Sequence, residues 1–552
     1  MRRIFPIESS AVVGVAFSVL SLHCSGGGAS EAADASGIGD ASAPDGSAAS
    51  DGAAPGDETG TRPPSDGGSQ LWEAGAEAAA QADAPSAAEP DGAAPEASQP
   101  PTAAGSITLD LANPLGSIGA NQLGANLAAW YDITQPGVEA NVASLGVHLI
   151  RWPGGSTSDQ YHWETQKTCG AYVNPNSTWE NFMKDVVGPG QFEVVVTANY
   201  GSNAACNGGG DPSEAAAWVA NAKTNGYSAH HFTVGNEVYG SWEYDLHAKK
   251  NDATTYANAI AGSSGYYALM KAADPTAQVG VVVDGAAAWD QAVLSTAPFD
   301  YVELHDYTGQ QPGSESDSYL LQQAAPGITS AIQNLKTELA AVGKADTPIL
   351  LGEYNSVPFN PGKQSVSIVN GLFAGMAFGE LLNGGAQMLT WFIGIGGGCS
   401  TNSNAASLYG FQMFGSYNEL SDGCNNVPTG TPFPTGRAAQ LLSKFAVPGN
   451  SMLRTTVGSS LVNVRAYAAT QGTGYAFFLF NLDESASTTV SLDLTNAPRT
   501  SFVASTTTYG KAQYDDSQQN VWTAPVSESL GSVSSMPSVT LPPWSMTVAV
   551  LQ

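Results

Sequence analysis

The 552-residue sequence has few basic residues, with 19 lysines and arginines against 49 aspartates and glutamates, and a formal net charge of -30 at pH 7. Such an acidic surface repels phosphate groups, so nucleic acid and anionic membrane surfaces are excluded as expected partners. A neutral polymer such as a polysaccharide meets no such repulsion. The charge balance therefore leaves carbohydrate open as a partner.

Three motifs that mark common functional classes are also missing. No GxGxxG opens a helix after the first predicted strand, which disfavours a doubly wound dinucleotide-binding fold. No GxSxG occurs, so an α/β-hydrolase triad has no serine to start from. The five cysteines form no CxxC pair and no histidine cluster accompanies them, so a zinc site is not expected. We predict neither a metal nor a cofactor.

The N-terminus has the pattern of an export signal. Two arginines precede an apolar run from Ala11 to Leu22, which is too short to span a membrane. Cys24 follows and resembles the acylated cysteine of bacterial lipoproteins, although His23 stands where a small residue is usual. Residues 1–24 are therefore predicted to direct export. The product is either a cell-surface lipoprotein, touching the membrane only through a lipid on Cys24, or a secreted protein.

Residues 25–105 are almost free of large apolar side chains. They contain 14 acidic residues and one basic residue, Arg62, among alanine, glycine, serine and proline. Such a segment cannot bury enough apolar surface to offset the backbone entropy lost on folding. We predict a disordered linker.

Four further cysteines remain, and an even number in an exported chain favours two disulfides. The sequence allows three pairings of Cys169, Cys206, Cys399 and Cys424. Proximity favours Cys169–Cys206 and Cys399–Cys424.

From residue 106 to 440, short apolar runs alternate with segments of helical period, which is typical of repeated βα units. This pattern predicts an α/β fold, a (β/α)₈ TIM barrel, with a doubly wound open sheet as the alternative. The strand-like runs are Gln122–Ala128, Val147–Trp152, Phe192–Asn199, His231–Asn236, Gln278–Val283, Tyr301–His305, Ile349–Glu353 and Gln387–Trp391.

Residues 441–552 have a different pattern. Segments such as "LVNVRAYAAT" and "STTVSLDLT" alternate apolar and polar residues with period two between turn residues. This predicts a C-terminal antiparallel β-sandwich. Residues 106–112 have the same pattern and are candidates to join it.

Two of the predicted barrel strands lead into a glutamate. The fourth runs into "VGNEVYG" with Glu237, and the seventh is "PILLGEYN" with Glu353. Because barrel active sites lie at the carboxyl ends of the strands, we expect both carboxyl groups at one rim. Glycoside hydrolysis requires such a pair, one carboxyl as general acid and the other as nucleophile or base. The alternative is two independent surface or capping glutamates.

These two segments resemble the acid/base and nucleophile segments of glycoside hydrolase clan A. "IRWPGGS", "TANYGS" and "VELHDY" at other strand ends are similar to the family 51 α-L-arabinofuranosidases, over about residues 120–395. The resemblance implies a retaining hydrolase of plant-type polysaccharide or oligosaccharide. Glu237 would be the acid/base with a raised pKa, and Glu353 the nucleophile about 5 Å away.

Other strand-end side chains are expected to bind substrate or hold these carboxylates. Arg151 ends the second strand, where an unpaired cation would be costly, so we expect it beside Glu353, keeping it ionised. A structural ion pair with another rim carboxylate is the alternative. His305 and Tyr307 alternate along the sixth strand and therefore share a face. The alternative for His305 is a histidine of the core.

The resemblance implies roles for three more residues. Asn236 would hydrogen-bond the sugar 2-hydroxyl, and Trp391, at the end of the eighth strand, would form an aromatic floor under the sugar. Asn199 would line the same rim. The alternatives are a turn residue for Asn236 and a core tryptophan for Trp391.

The first strand departs from the family pattern. Family 51 enzymes usually present a glutamate there to bind arabinofuranose, whereas "QLGANLAAWYD" offers Asn126. Arabinofuranosidase is the leading expectation, and an endo-glucanase, a xylanase or xylosidase, or a glucuronidase of the same clan are the alternatives. A transglycosylase on the same residues and a catalytically inactive carbohydrate-binding surface protein also remain open.

Overall fold

The computed structural model describes residues 103–307, 316–401 and 414–552, apart from the side chain of Gln518. These residues lie within the second of the two units into which the chain divides, Pro95–Gln552. The predicted export signal, Cys24 and the predicted linker up to residue 102 lie outside the described residues. Within the described ranges, every helix is too short or too polar to cross a membrane.

Two sheets organise the described residues, and one of them is a closed barrel of eight parallel strands. The barrel contains β2 to β9 in sequence order, and β9 pairs with β2 to close it. The predicted (β/α)₈ barrel is confirmed, and each predicted run overlaps one barrel strand. The strands are β1 Gly105–Ser117, β2 Gly124–Asn126, β3 Leu149–Trp152, β4 Glu193–Ala198, β5 Ala229–Val234, β6 Gln278–Val283, β7 Tyr301–Tyr307, β8 Ile349–Asn355, β9 Met388–Trp391, β10 Ser451–Val457, β11 Val464–Gln471, β12 Gly474–Asn481, β13 Thr488–Asp493, β14 Ser501–Gly510, β15 Val526–Ser534, β16 Ser538–Leu541 and β17 Ser545–Leu551.

The α-helices are α1 Val138–Ala143, α2 Trp179–Asn181, α3 Gly188–Gly190, α4 Pro212–Asn225, α5 Ala253–Ala261, α6 Tyr266–Ala273, α7 Ala287–Thr296, α8 Asp317–Tyr319, α9 Ala325–Ala341, α10 Ile368–Gly384, α11 Pro434–Phe445 and α12 Lys511–Asp516. The helices up to α10 connect the strands of the barrel, α11 leads from the barrel to the second sheet, and α12 lies between β14 and β15 of that sheet. Wider π turns follow α2 and α8, at Phe182–Val187 and Leu320–Ala324. Single 3₁₀ turns lie at Gly155–Gln160, Lys363–Val366, Cys424–Asn426 and Ser517–Gln519.

Local sequence explains where these helices begin and end. Asp211 caps α4 by accepting a hydrogen bond from the Ser213 N–H, Pro212 occupies the first turn, and Gly226 ends the helix at a φ of 65°. Pro326, which interrupts a longer helical pattern, lies in the first turn of α9. The helical backbone runs without a break from α8 through the π turn Leu320–Ala324 into α9, so Pro326 follows a π turn inside a longer helical segment.

The strands of the barrel approach one another closely at β2. A Cβ on Gly124 would lie 2.6 Å from the Leu149 carbonyl oxygen and 2.7 Å from that of Leu389. Only glycine therefore fits where β2 lies between β3 and β9. A layer of buried side chains fills the barrel interior, and it contains Leu149, Val195, Tyr301, Leu350 and Met388.

The second sheet has nine strands in the order β15-β14-β17-β12-β11-β10-β1-β13-β16. The predicted C-terminal β domain is confirmed, and its strands form one continuous sheet rather than two separate ones. Its pairs are antiparallel except β1 with β13, which is parallel. One face carries a core shared by both ends of the sheet, including Ile107, Phe477 and Leu541, so the sheet curls over its own apolar side chains.

The other face of this sheet packs on the barrel helices. Gly375 and Gly379 lie one turn apart on α10, and a Cβ at either position would come within 3.0 Å of the ring of Phe480 or Tyr467, respectively. This glycine stripe lets aromatic side chains of the sheet lie directly on the helix backbone. The barrel and the β domain therefore share a continuous apolar interface.

The chain crosses from the sheet to the barrel after β1, which includes the candidate residues 106–112, and returns to the sheet after α11. β1, Gly105–Ser117, pairs with β10 and β13, so the segment before the barrel belongs to the C-terminal sheet. The boundary predicted between residues 440 and 441 falls inside α11, and the sheet resumes at β10. The helix ends at Phe445, with Lys444 in its last turn and Pro448 three residues beyond it, which are usual signals of a helix end.

Both disulfides have the pairing that proximity favours. Cys169 bonds Cys206 and Cys399 bonds Cys424, with Cα–Cα distances of 5.5 and 5.9 Å. Each bond closes a loop at the carboxyl ends of the barrel strands. Two disulfides are typical of an exported protein.

Candidate active site

The carboxyl ends of β5 and β8 bring Glu237 and Glu353 together. Glu353 lies within β8, whereas Glu237 follows β5 by a sharp turn in which Gly235 and Glu237 have φ values of 83° and 41°. The left-handed conformation at a glutamate is uncommon and directs its carboxyl group into the barrel mouth. An oxygen of Glu237 and an oxygen of Glu353 lie within 4.8 Å of each other.

Arg151 at the end of β3 is the centre of the hydrogen bonds below this pair. Its side chain is fully buried, and Nη1 donates to Glu353 Oε1 at 2.8 Å. Nη1 also donates to Asn126 Oδ1 at 3.0 Å, and Nη2 donates to Asn236 Oδ1 at 2.8 Å. The cation therefore fixes three side chains from three different strands.

Glu303 on β7 is the second ionic partner of Arg151, and sequence reasoning missed it. Arg151 Nε donates to Glu303 Oε1 at 2.7 Å, and both side chains are fully buried. Gly352 on the neighbouring strand leaves the space, since a Cβ there would meet Glu303 Oε1. Burial raises the pKa of Glu303, but the charge of Arg151 and the hydrogen bond from His305 outweigh it and lower the pKa to about 2. Glu303 alternates with His305 and Tyr307 along "VELHDY", so strand periodicity could have placed all three on one face.

His305 joins three carboxylates. Its Nδ1 lies 2.8 Å from Glu237 Oε1 and 3.7 Å from Glu353 Oε2, and its Nε2 lies 3.0 Å from Glu303 Oε1. Burial lowers the pKa of His305, but the surrounding carboxylates, led by Glu353, raise it to about 10. The imidazolium form therefore donates from both ring nitrogens at neutral pH.

Glu237 differs from the expectation of a raised pKa. Burial raises its pKa, but hydrogen bonds from His305 and from the Trp242 Nε1–H at 2.9 Å, with the charge of His305, lower it below the usual value. Both oxygens of Glu237 have a donor, because His305 faces Oε1 and Trp242 faces Oε2. The pKa of Glu237 is therefore lowered, where the resemblance implied a raised one.

Tyr307 completes the surroundings of Glu353. Its hydroxyl donates to Glu353 Oε2 at 2.6 Å, opposite the oxygen that accepts from Arg151. Each oxygen of Glu353 therefore accepts a hydrogen bond, one from a charged donor and one from a neutral donor.

These residues form the floor of a cavity of about 910 Å³. Of the nine predicted site residues, five line it: Asn236, Glu237, His305, Tyr307 and Glu353. Aromatic side chains make up much of the remaining wall. They are Trp130, Tyr239, Trp242, Phe359, Phe392 and Tyr417.

Four predicted substrate-binding residues do not line the cavity. Arg151 and Asn126 lie beneath the floor, fully buried. Asn126 donates from Nδ2 to the carbonyl oxygens of Gly352 and Thr390, at 2.9 and 3.2 Å, besides accepting from Arg151. Both side chains hold other residues in position, and Arg151 lies beside Glu353 as expected.

Asn199 and Trp391 also require correction. The side chain of Asn199 makes local hydrogen bonds and does not line the cavity. It accepts a hydrogen bond from the Ser202 N–H and donates one to the Tyr161 carbonyl oxygen. Trp391 is 2% exposed and packs against Tyr354, so it belongs to the core. Side chains alternate along a strand, so the next residue, Phe392, lines the cavity instead.

A second buried acidic group lies behind Asn236 and was not predicted. Asp159, in the 3₁₀ turn after β3, accepts a hydrogen bond from the Asn236 backbone N–H at 3.0 Å. Glu243 accepts from Asn236 Nδ2 at 3.0 Å and from Ser156 Oγ at 2.7 Å. Neither carboxyl group has a sequence signal, because both lie in loops rather than at strand ends.

Three groups of side chains in the described residues have the ligand types and spacing of a metal site. Two of them contain disulfide-bonded cysteines, whose sulfur atoms are not free to bind a metal. The third is Glu237, His305 and Glu353. Because His305 is protonated at neutral pH, it has no lone pair for a metal ion, and the trio is arranged for hydrogen bonding.

Solved glycoside hydrolases share this fold. The arabinose complex of the Thermotoga maritima α-L-arabinofuranosidase is 16% identical, with a TM-score of 0.60, over 81% of this chain and 99% of that one. The family 51 arabinofuranosidase of Xanthomonas axonopodis pv. citri is 17% identical, with a TM-score of 0.59, over 81% and 100%. The family 44 endoglucanase of Clostridium thermocellum is 12% identical, with a TM-score of 0.54, over 81% and 99%.

At these identities the likeness shows the fold, and it confirms the predicted resemblance to clan A and family 51 at that level. No protein-family model matches the sequence. No curated protein matches it closely enough to indicate a relationship.

Proposed function

We propose that the protein is a retaining glycoside hydrolase that acts on polysaccharide, with Glu353 as nucleophile and Glu237 as general acid and base. The observation that carries this proposal is the pair of carboxyl oxygens within 4.8 Å of each other in the floor of the cavity. Retaining enzymes have carboxyl groups about 5–5.5 Å apart, whereas inverting enzymes need about 6.5–9.5 Å to admit a water molecule. The fold shared with glycoside hydrolases supports the same reading.

The first step forms a bond between Glu353 and the sugar. Glu353 attacks the anomeric carbon as the bond to the leaving oxygen breaks, and Glu237 gives that oxygen a proton. The hydrogen bonds from Arg151 and Tyr307 hold the carboxyl group of Glu353 in position for the attack. In the second step Glu237 takes a proton from water, whose oxygen attacks the same carbon and releases Glu353 as a carboxylate.

The acid step requires a proton on Glu237, although hydrogen bonds and the charge of His305 lower the pKa of this carboxyl group. A proton donor is adjacent, because protonated His305 Nδ1 lies 2.8 Å from Glu237 Oε1. A bound sugar that excludes water from the cavity disfavours the charged carboxylate and moves that proton towards Glu237. The proposal therefore includes His305 as the group that holds the proton between turnovers.

The stereochemistry of the first product tests the proposal. A retaining enzyme releases a sugar with the anomeric configuration of its substrate, which proton NMR detects before mutarotation. Glu353→Gln should abolish turnover while keeping substrate binding, and Glu484→Gln, an exposed glutamate of the β domain, should change neither. An inverted first product would overturn the double displacement. A wild-type protein that binds oligosaccharide but never cleaves it would indicate a carbohydrate-binding surface protein.

An α-L-arabinofuranoside is the leading substrate, on the likeness to the family 51 enzymes. A second candidate is an endo-acting glucanase or xylanase, and specific features favour it. Asn126 offers no group to the sugar, and the cavity rim presents two aromatic rings, Trp242 and Phe359, that are 66% and 62% exposed. Exposed rings at a cavity rim suit the apolar faces of neighbouring sugars in a chain.

A substrate screen separates these candidates. Aryl glycosides of arabinofuranose, xylose, glucose and glucuronic acid report exo action, and polymeric arabinan, xylan and glucan report endo action. The arabinofuranosidase assignment predicts release of arabinose alone. Oligosaccharides as first products from a polymer would favour the endo-acting candidate.

Export is part of the same proposal, because a polysaccharide substrate lies outside the cell. The predicted signal and the two disulfides support it. Cys24→Ala separates the two forms of export. A lipid-anchored protein should move from the membrane fraction to the medium, whereas a secreted protein should stay in the medium.

A further inference from the structure

Glu243 is a buried acid in contact with the cavity floor, six residues after the proposed general acid. It is 6% exposed, and its Oε1 accepts hydrogen bonds from Ser156 Oγ at 2.7 Å and from Asn236 Nδ2 at 3.0 Å. Its Oε2 is buried and has no hydrogen-bond partner among the described residues. A charged oxygen in that position would be costly, so the geometry favours a proton on Oε2.

The neighbouring Asp159 explains why Glu243 keeps its proton. Asp159 accepts hydrogen bonds from the backbone N–H groups of Tyr200 and Asn236, at 3.1 and 3.0 Å, which stabilise its charge. Burial still raises the pKa of Asp159 to about 7, whereas burial and then the charge of Asp159 raise the pKa of Glu243 to about 9, so Asp159 loses its proton first. The hydrogen-bond donors to the two buried carboxyl groups differ. The negative charge of the pair therefore lies on Asp159, and the proton stays on Glu243.

The side-chain amide of Asn236 is held at both ends as a result. Arg151 Nη2 donates to its Oδ1 at 2.8 Å, and its Nδ2 donates to Glu243 Oε1. An amide nitrogen carries two hydrogens, and Glu243 takes one of them. Since Asn236 lines the cavity, the second hydrogen is left for a ligand.

We propose that Glu243 is a positioning residue, which fixes the amide of Asn236 so that its remaining N–H donates to the 2-hydroxyl of the sugar bound between Glu237 and Glu353. The inference rests on the proposed hydrolase function. Ser156 acts with Glu243, because its hydroxyl donates to the same carboxyl oxygen and holds that oxygen towards Asn236.

Substrate pairs with and without the 2-hydroxyl test this role. The measured quantity is kcat/KM for an aryl glycoside that the wild type cleaves, divided by kcat/KM for its 2-deoxy analogue. Glu243→Ala should lower this ratio roughly tenfold or more, because a correctly oriented hydrogen bond is lost on one substrate only. Glu243→Gln keeps an uncharged side chain with an acceptor oxygen and should retain the wild-type ratio.

A general loss of packing would lower both rates together and leave the ratio unchanged, so an unchanged ratio in Glu243→Ala overturns the proposal. Glu419→Ala is the matched control, since Glu419 is 4% exposed and its Oε2 also has no hydrogen-bond partner among the described residues. It should reduce stability without changing the ratio. Ser156→Ala, at a site exposed to the cavity, is the second variant and should lower the ratio less than Glu243→Ala.

A crystal structure separates failure of this inference from failure of the proposed function. If the wild type cleaves no glycoside, the hydrolase proposal fails, but the orientation of Asn236 can still be observed. In Glu243→Ala the Asn236 amide should leave its position or flip, and in Glu243→Gln it should stay. An unmoved Asn236 in Glu243→Ala would refute the positioning role.

Discussion

Arg151 and Glu303 form an ion pair with both side chains fully buried, in which Nε lies 2.7 Å from Oε1. An isolated charge in such a place is costly, so each of the two requires the other. The same guanidinium reaches Glu353 through Nη1, and the same Glu303 oxygen faces His305 Nε2. Glu303 therefore supports the proposed nucleophile from below without touching the cavity.

Glu303→Gln should destabilise the protein by about 3–5 kcal/mol, because Arg151 Nε and His305 Nε2 both lose their buried charged acceptor. Urea unfolding followed by tryptophan fluorescence measures the change. Glu380→Gln is the control, since Glu380 accepts from the hydroxyls of Thr329 and Tyr467 at a partly buried site. Its loss should be about 1 kcal/mol. Equal losses for the two variants would mean that the Arg151–Glu303 charge pair adds nothing.

His305 makes stability depend on pH in the alkaline range. Its pKa is raised from 6.5 to about 10 in the folded protein, so the stabilising effect is complete below 6.5 and is lost as pH rises through about 10. The charged groups that face it are Glu237, Glu303, Glu353 and Arg151. Thermal unfolding from pH 6 to 10 should show a decline in the wild type that His305→Gln reduces. If the unfolding temperatures of the wild type and His305→Gln fell in parallel with rising pH, a charged His305 would be contradicted.

Replacing the proposed acid should affect substrates according to their leaving group. Glu237→Gln should slow hydrolysis of a glycoside with a poor leaving group by about 10²–10⁴, since general acid catalysis contributes this much. A 2,4-dinitrophenyl glycoside needs no protonation and should form the covalent intermediate at nearly the wild-type rate. Rapid-quench measurement of the first turnover detects that burst. Equal slowing of both first steps would exclude Glu237 as the acid.

The sequence identified residues at strand ends better than residues in loops. Glu237, Glu353, His305 and Tyr307 follow apolar runs, and strand periodicity puts them on the inner face of the barrel mouth. Glu243 lies in a loop, where no periodicity indicates what a side chain faces. The barrel itself was predictable, because eight apolar runs separated by helical segments allow few other folds.

Burial depth was the other quantity that the sequence could not supply. Arg151 and Asn126 occupy the predicted strand ends but lie one layer below the cavity, where they bind other side chains. Trp391 and Phe392 are adjacent aromatics that point in opposite directions, and only Phe392 lines the cavity. The lowered pKa of Glu237 likewise depends on hydrogen bonds from His305 and Trp242, which require the folded geometry.

Phe359 distinguishes action on chains from action on single sugars. Its ring is 62% exposed at the cavity rim, after β8, and burying a phenylalanine side chain is worth about 1.5–3 kcal/mol. If sugar units beyond the reacting one stack on this ring, Phe359→Ala should lower kcat/KM on a polymer by roughly tenfold or more and change an aryl monoglycoside by less than about twofold. Tyr172→Ala is the control, because Tyr172 is 66% exposed and does not line the cavity. Unchanged polymer hydrolysis in Phe359→Ala would count against the endo-acting candidate. It would mean that the bound polysaccharide does not stack on this ring. An equal loss on both substrates would instead mean that the ring contacts the reacting sugar, as an exo-acting arabinofuranosidase would require.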